Sequence, residues 1–514
     1  MQDRKEDSAF SVKNIREKVR DWKSQNLLTV RLFEYILLLG LVTFVIGLIF
    51  SCFNLIHTDP TSARYMLSAL VQSQAAIIAI VVSLTLIAVQ HTASAYSPRV
   101  IRIFRNNPDM WILLGLYGFS IFYGLLVLKM IRGAEDTSQI MISSISLEAY
   151  ISTVYALGIS TFAILCLYIW NIMSLLTPET IIKRLKNEIT KGNLLTPEED
   201  PIQPIMDIIH GSIMKYDLET TRVGLKAVTD QVIEIIDPTC EREISGNFCN
   251  HLYRVSRLAI SRDDEESAED VMNRLEEFGL SSAEKGLEDT TVTTVRFLGL
   301  IGRTAMEKKL EYAAFMAATN LADVGRAAAG YGLEGAVTAA VSHLREFGRT
   351  AVEKEVKNVL TTAVKNLGEI GSETANQKLE DVTKRAVESL RDIGESIVEK
   401  EFEDSAVKKE VAIKGVVASL VLTGVAAAKK YLEDATYQAA LSLVTIRMSA
   451  TEKGFEVETE SVALDLAILT ILSEDPVKNA IREYESNLEE HKRNSFQKFM
   501  EQYEQELEKQ RAEN

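Results

Sequence analysis

Cys240, Cys249 and His251 are the first residues whose types could do chemistry, since thiolate and imidazole are the ligands a structural zinc takes. No C-x-x-C pair accompanies them and a fourth ligand is missing, so ordinary buried thiols are the competing reading. His210 follows Ile208 and Ile209 and reads as a packed histidine. Carboxylates offer more. Glu288, Glu311, Glu334, Glu380 and Glu403 recur at multiples of 23 residues, near the pairs Glu284-Lys285, Glu307-Lys308, Glu353-Lys354 and Glu399-Lys400. Paired carboxylates are what acid–base catalysis needs, but a set repeated along the chain is not a site built once. The ladder is either a solvated face with weak local ion pairs or an acidic docking surface for a basic partner or cation. With no phosphate loop, nucleophile elbow or metal signature, the sequence points away from an enzyme and implies no cofactor and no metal.

The other polar pattern lies in an apolar setting. Gln72, Ala76, Ala79, Ser83, Gln90 and Ser94 step by three, four or seven residues through Ile, Val and Leu, which puts a polar and small-residue stripe on one helix face. In lipid such a stripe must face protein or water. It reads either as a close helix–helix packing seam or as a water-filled path in an oligomer.

Four apolar segments, about 33–56, 66–92, 110–131 and 147–176, each reach the roughly 20 residues a spanning helix needs. No charged side chain lies in the core of any of them, which disfavours charge-coupled transport. Lys and Arg crowd the N-terminal segment, the 93–108 loop (Arg99, Arg102, Arg105) and the exit after 176 (Lys183, Arg184, Lys186). The positive-inside rule therefore puts both termini in the cytoplasm. Ile15, Val19 and Trp22, set among basic residues, suggest an amphipathic helix at the headgroups within residues 1–32. Pro98 disfavours helical geometry just before it, so the second span should end near Tyr96 and leave Arg99 at the membrane interface.

The run QSQAAIIAIVVSLTLIAVQHTASAYSPRVIRIFR from Gln72 to Arg105, with LLGLYGFSIFYGLLVL in the third span, resembles the DUF2254 family of predicted membrane proteins. Ser83, Thr85, Ala88-Val89-Gln90 and Ser97-Pro98-Arg99 carry the likeness. The resemblance implies a four-span membrane protein and no particular activity.

Past a juxtamembrane helix and linker (177–204) and a helical connector (205–255), the chain turns repetitive. Gly279, Gly302, Gly325, Gly348, Gly371 and Gly394 stand 23 residues apart. With glycine as position one, apolar residues fall at positions five, nine, twelve, sixteen, twenty and twenty-three, one face of a continuous helix. Degenerate copies extend the array over 256–473, and such a period marks stacked supersecondary units. Glycine after the last apolar position suggests a left-handed helix stop, giving one antiparallel helix of about 18–20 residues per unit. The rival is a shortened helical pair broken at Gly286, Gly332 and Gly454, and the L-x-x-I-G runs resemble HEAT repeats. In the charged C-terminal helix (474–514), Phe496, Met500, Tyr503 and Leu507 keep heptad-like spacing suited to a coiled coil or a docking helix.

The expectation is an all-α chain: a four-helix transmembrane domain followed by a cytoplasmic α-helical repeat array. Up to residue 190 the charge balance is +4, so the rest carries −20 of the net −16. That excludes nucleic acid as the main partner, because phosphate binding needs a basic stripe. The expected surroundings are the bilayer of the cell (inner) membrane and a protein partner or a second copy. The expected role is a scaffold, or alternatively an oligomeric channel lined by the second span.

Overall fold

The computed structural model describes residues 27–52, 60–95, 108–132, 141–142, 145–175, 177–196, 200–400, 406–453, 459–487 and 493–513. The chain separates into two compact units, Met1–Arg184 and Leu185–Asn514.

The first unit holds α1 (Leu27–Cys52), α2 (Pro60–Ala95), α3 (Pro108–Arg132) and α4 (Leu147–Leu175), with a two-residue pairing of Met141–Ile142 and Ile145–Ser146 before α4. Proline opens α2 and α3, where its missing N–H and fixed φ cost nothing. Each helix is long and apolar enough to cross a membrane, over Leu32–Phe50, Thr61–Gln90, Asp109–Ile131 and Leu147–Ser174. Their outward side chains are large and apolar, among them Phe33, Phe44, Leu84, Phe122 and Trp170. α4 touches the other three helices.

Packing in this bundle is layered. At one end Ala63, Leu67, Val127, Ile131, Leu147, Ile151 and Val154 form an apolar cluster; at the other, Val81, Leu113, Tyr117, Ile164, Leu165 and Tyr168 form a second. Between them lies a polar layer. The Gln74 amide donates to Ser120 Oγ (2.9 Å) and Thr161 Oγ1 (3.0 Å), while Thr43 and Ser160 pair at 3.0 Å between α1 and α4. Gly158 lets the helices close on this layer: a Cβ there would sit 2.9 Å from Leu70 Cδ2 and 3.3 Å from the Gln74 amide nitrogen.

The second unit is a helical array. α5 (Pro178–Lys186) straddles the boundary and α6 (Lys191–Leu195) follows. Among the described residues of 177–204, Ile181, Ile182, Leu185, Ile189 and Ile202 are buried. Lys191 pairs with Asp237 at 2.5 Å, tying this stretch to the start of the array. The helical connector opens with two helices, α7 (Gln203–Met214) and α8 (Leu218–Ile235), because Tyr216 turns the chain at φ 57°.

α9 (Glu241–Ser261), α10 (Glu265–Glu284), α11 (Glu288–Glu307), α12 (Glu311–Gly330), α13 (Glu334–Lys354), α14 (Lys357–Asn376), α15 (Glu380–Glu399), α16 (Ala406–Lys429) and α17 (Glu433–Glu452) continue the array. Each packs on the next helix and on the next but one, so alternate helices share a layer and consecutive helices run antiparallel across two layers.

One helix per unit is right, but the glycines do something else. All six glycines at position one lie inside helices, not after them. They are contact points: a Cβ on Gly279 would fall 2.8 Å from Val324 Cγ2 and 3.1 Å from Thr294 Cγ2, and one on Gly394 2.6 Å from Ile446 Cδ1. Gly279, Gly302 and Gly325 each receive the position-sixteen residue of the following helix and the apolar residue preceding the glycine of the helix after that, and Gly348 receives the latter. Selection here is for close approach of helices, and no left-handed backbone is involved.

The break falls at position eight, where the rival reading placed it. Gly286 and Gly332 have φ of 70° and 72°, and Lys309, Glu355, Lys378 and Tyr431 adopt the same left-handed conformation. The apolar residue at position nine then returns its N–H to the carbonyl five residues back, as in Leu287 to Ser282 (2.9 Å) and Leu379 to Thr374 (2.9 Å). This is the Schellman closure, and the same leucine opens the next helix.

α16 is also long and apolar enough to span, over Lys409–Lys429, but half of that stretch is buried within the array. At the far end come α18 (Thr459–Leu472), α19 (Glu474–Ser486) and α20 (Arg493–Glu513). The heptad-like face of α20 is not left free for a coiled coil. Phe496, Phe499, Tyr503 and Leu507 are buried, and Tyr503 pairs with Thr470 of α18 at 2.9 Å. α20 closes the end of the array, which a solenoid needs because its last repeat has no neighbour.

Candidate assembly face and the repeated contacts

α2 is positioned by one face and offers another. Ala63, Leu67, Val71, Gln74, Val81 and Thr85 turn into the bundle and are buried. Gln72, Ala76, Ala79, Ser83, Gln90 and Ser94 are exposed. Among the described residues, the stripe is not covered by another helix of this chain. Ser83 Oγ donates to the Ala79 carbonyl at 2.9 Å, and the Gln72 amide donates to Ser68 Oγ at 3.4 Å. The Gln90 amide has no hydrogen-bond partner among the described residues. Small side chains at 76, 79 and 83 leave this face shallow enough for another helix to approach closely.

The polar residue that does pack, Gln74, lies two positions from Gln72. Its phase is set by the apolar clusters of α3 and α4, and no polar pattern in α2 alone separates the two glutamines. Trp22, Pro98, Arg99, Arg102 and Arg105 lie outside the described residues, as do Glu403 and Gly454.

In the array, Glu288, Glu311, Glu334 and Glu380 are each the first residue of a helix, where a carboxylate meets the positive end of the helix dipole. Two of them reach sideways. Glu288 Oε1 accepts from the Gly335 N–H at 2.7 Å, and Glu380 Oε1 accepts from the Asp434 N–H at 3.2 Å. Each caps the start of the parallel neighbour in its own layer. The lysines at position seven do the converse. Lys354 Nζ donates to the Met306 carbonyl (3.1 Å), Lys400 Nζ to the Glu353 carbonyl (2.9 Å), and Lys285 Nζ to the Ile233 carbonyl. Each satisfies the open C-terminus of the preceding parallel helix. At these positions the Glu and Lys ladders stitch repeat to repeat. Glu311 and Glu334 stay exposed.

A second set of stitches was missed by the sequence reading. Arg303 pairs with Glu346 (2.6 Å) and Arg326 with Glu369, each linking same-layer helices, while Arg326 also pairs with Asp323 of its own helix. Beside them Glu276 of α10 is pushed up to about 7 by burial and by the Asp323 carboxylate. The arginines recur at position two and the acids at position twenty-two, a signal masked by the more regular glycine next to them.

Cys240, Cys249 and His251 go separate ways. His251 Nε2 meets Asp200 Oδ2 at 2.5 Å, Cys240 Sγ donates to Asp237 Oδ1 at 3.3 Å, and Cys249 Sγ is 3.9 Å from Thr294 Oγ1. Burial pushes the Cys249 thiol up to about 12, which keeps it an unreactive thiol. His210 is half-buried; burial, then the nearby Arg254, pushes its pKa down. No group of three or more His, Cys, Asp or Glu suited to a metal ion occurs among the described residues.

Among solved structures, the chain is similar to a circular tandem repeat protein with novel repeat topology and enhanced subunit contact surfaces. The identity is 12%, the match covers 88% of this chain and 99% of that one, and the TM-score is 0.32. No curated protein matches. The family model described as a predicted membrane protein, DUF2254, matches residues 25–208, which take in the membrane half of the chain together with the segment that opens the array.

Proposed function

We propose that the protein is a non-enzymatic membrane scaffold, in which copies associate through the exposed face of α2 and the repeat array presents a binding surface for a protein partner or for another copy. The observation that carries this reading is the face itself. Polar and small side chains from Gln72 to Ser94 point away from a bundle that is already packed through the opposite face. Amide side chains both donate and accept, so two copies with the same orientation in the bilayer present self-complementary glutamines and serines to each other. The basic flanks at 99–105 and 183–186 support a cytoplasmic array, with both termini on that side of the cell membrane.

Cysteine cross-linking tests it. In a background lacking Cys52 and Cys166, Ser83→Cys should form an oxidised dimer in vesicles, and Leu84→Cys, one position round the helix, should not. Equal yields from both variants, or a monomer by light scattering in detergent, defeat the assembly reading. The second reading is an oligomeric channel, favoured by the polar character of the same face. Gln90→Leu would then change single-channel conductance in planar bilayers, and an unaltered trace counts against this face as a pore lining.

A further inference from the structure

We propose that the groove between the start of α2 and the end of α3 binds the phosphorylated headgroup of an anionic phospholipid. The groove has a volume of about 460 Å³ and is lined by Thr61, Arg64 and Ser68 from α2 and by Leu125, Leu128 and Lys129 from α3, with Tyr65 at its rim. Arg64 and Lys129 are both exposed, and no carboxylate pairs with either among the described residues. Two cations beside one cleft, at the low-dielectric edge of an apolar bundle, call for a counter-anion. Thr61 and Ser68 add hydroxyl donors. Ser68 Oγ already accepts from Gln72, which leaves its own proton to donate outward.

Depth and floor select a lipid over a dissolved anion. Arg64 lies three residues into the apolar stretch Thr61–Gln90, and Lys129 two residues before the end of Asp109–Ile131. Both therefore reach the level where headgroup phosphates lie, the level that long basic side chains seek from within a membrane. The wall is apolar: Leu125 is 50% exposed, next to Leu126 and near Phe122 on the outer surface of α3, so an acyl chain can run along the helix below the phosphate. Tyr65, 76% exposed, stands at the rim as an aromatic side chain does at a membrane interface.

Native mass spectrometry of the full chain, delipidated in detergent and titrated with phosphatidylglycerol, tests the assignment. The parent should retain bound lipid. The Arg64→Ala/Lys129→Ala variant should retain at least tenfold less, while Arg64→Lys should keep most of it. Diacylglycerol, which has the chains without the phosphate, should not be retained, and inorganic phosphate should not displace the lipid at equal concentration. Unchanged retention in the double variant overturns the proposal. Equal retention of diacylglycerol reduces the groove to an apolar surface, and displacement by inorganic phosphate makes it a site for a free anion; either result also overturns it. Both charges are exposed, so a thermal melt should leave the double variant close to the parent. If it does not purify, Lys129→Gln carries the same readout at smaller size.

Discussion

The two units use their polar groups differently. In the bundle, hydrogen-bonding side chains lie inside, with Gln74, Ser120 and Thr161 between two apolar clusters, and the outside is Phe, Leu and Trp. In the array, buried hydroxyls such as Thr291 and Thr436 are mostly returned to carbonyls of their own helix, and charged stitches between helices run along the helix ends and outer faces, as at Glu288, Lys354 and Arg303. The reason is the solvent. Where lipid surrounds a helix, burying Leu against Leu gains little over burying it in acyl chains, so small residues and hydrogen bonds specify the contact. Where water surrounds it, apolar burial drives association and polar groups need only avoid being stranded.

The largest effect that would sharpen this contrast is expected in the array core. Leu367 is fully buried, and Leu367→Ala should cost about 3 kcal/mol, the usual scale for such a cavity. Gly371→Ala introduces a Cβ 2.7 Å from Thr423 Oγ1, and the overpacking should cost about 1–3 kcal/mol. Denaturant unfolding of the full chain, followed by a fluorophore on the array, measures both. In the bundle, Gln74→Leu should cost only about 1 kcal/mol, the scale of hydrogen bonds between helices in membranes. Gln72→Leu should leave bundle stability unchanged and alter the cross-linking yield instead. If Gln74→Leu proved as costly as Leu367→Ala, the two units would not differ in the way described.

The same contrast explains how much was legible. The array is amphipathic with a fixed period, so helix number, length and buried face follow from the spacing of Leu298, Leu321 and Leu344. Glycine misled because its two uses, left-handed backbone and close contact, look alike in sequence. Distinguishing them needs the register of the next helix but one. In α2, by contrast, apolar residues surround the helix, and the choice between Gln72 and Gln74 as the inward amide depends on α3 and α4. The stitches were legible as charges but not as pairs, since their partners lie more than forty residues away.

A smaller effect probes the turns. Lys309 and Lys378 hold φ of 61° and 62° at positions where Gly286 and Gly332 show that glycine fits. A left-handed side chain costs roughly 1 kcal/mol, so Lys309→Gly should stabilise the array by about that amount in the same denaturant assay. A loss of stability would mean that the lysine side chain, not the backbone, matters in that turn.

A further effect concerns pH, and it tests whether the stitches act on the array as charges. Glu276 titrates at about 7 in the folded chain because burial and the Asp323 carboxylate both favour its protonated form. An unfolded glutamate titrates at about 4.5, so between about 4.5 and 7 the folded state holds the extra proton. Stability from this group is therefore complete below 4.5 and falls as pH rises through 7. Asp323 pairs with Arg326, which also pairs with Glu369, and its carboxylate faces Glu276 across α10 and α12. The array should melt at a lower temperature at pH 8 than at pH 5.5 by an amount that Glu276→Gln removes, because the amide donates to Asp323 at every pH. The bundle, whose polar layer is made of neutral Gln, Ser and Thr, supplies the internal control. If the difference between the two pH values survives in Glu276→Gln, the proton is held elsewhere and the pairing of Glu276 with Asp323 does not set the pH response of the array.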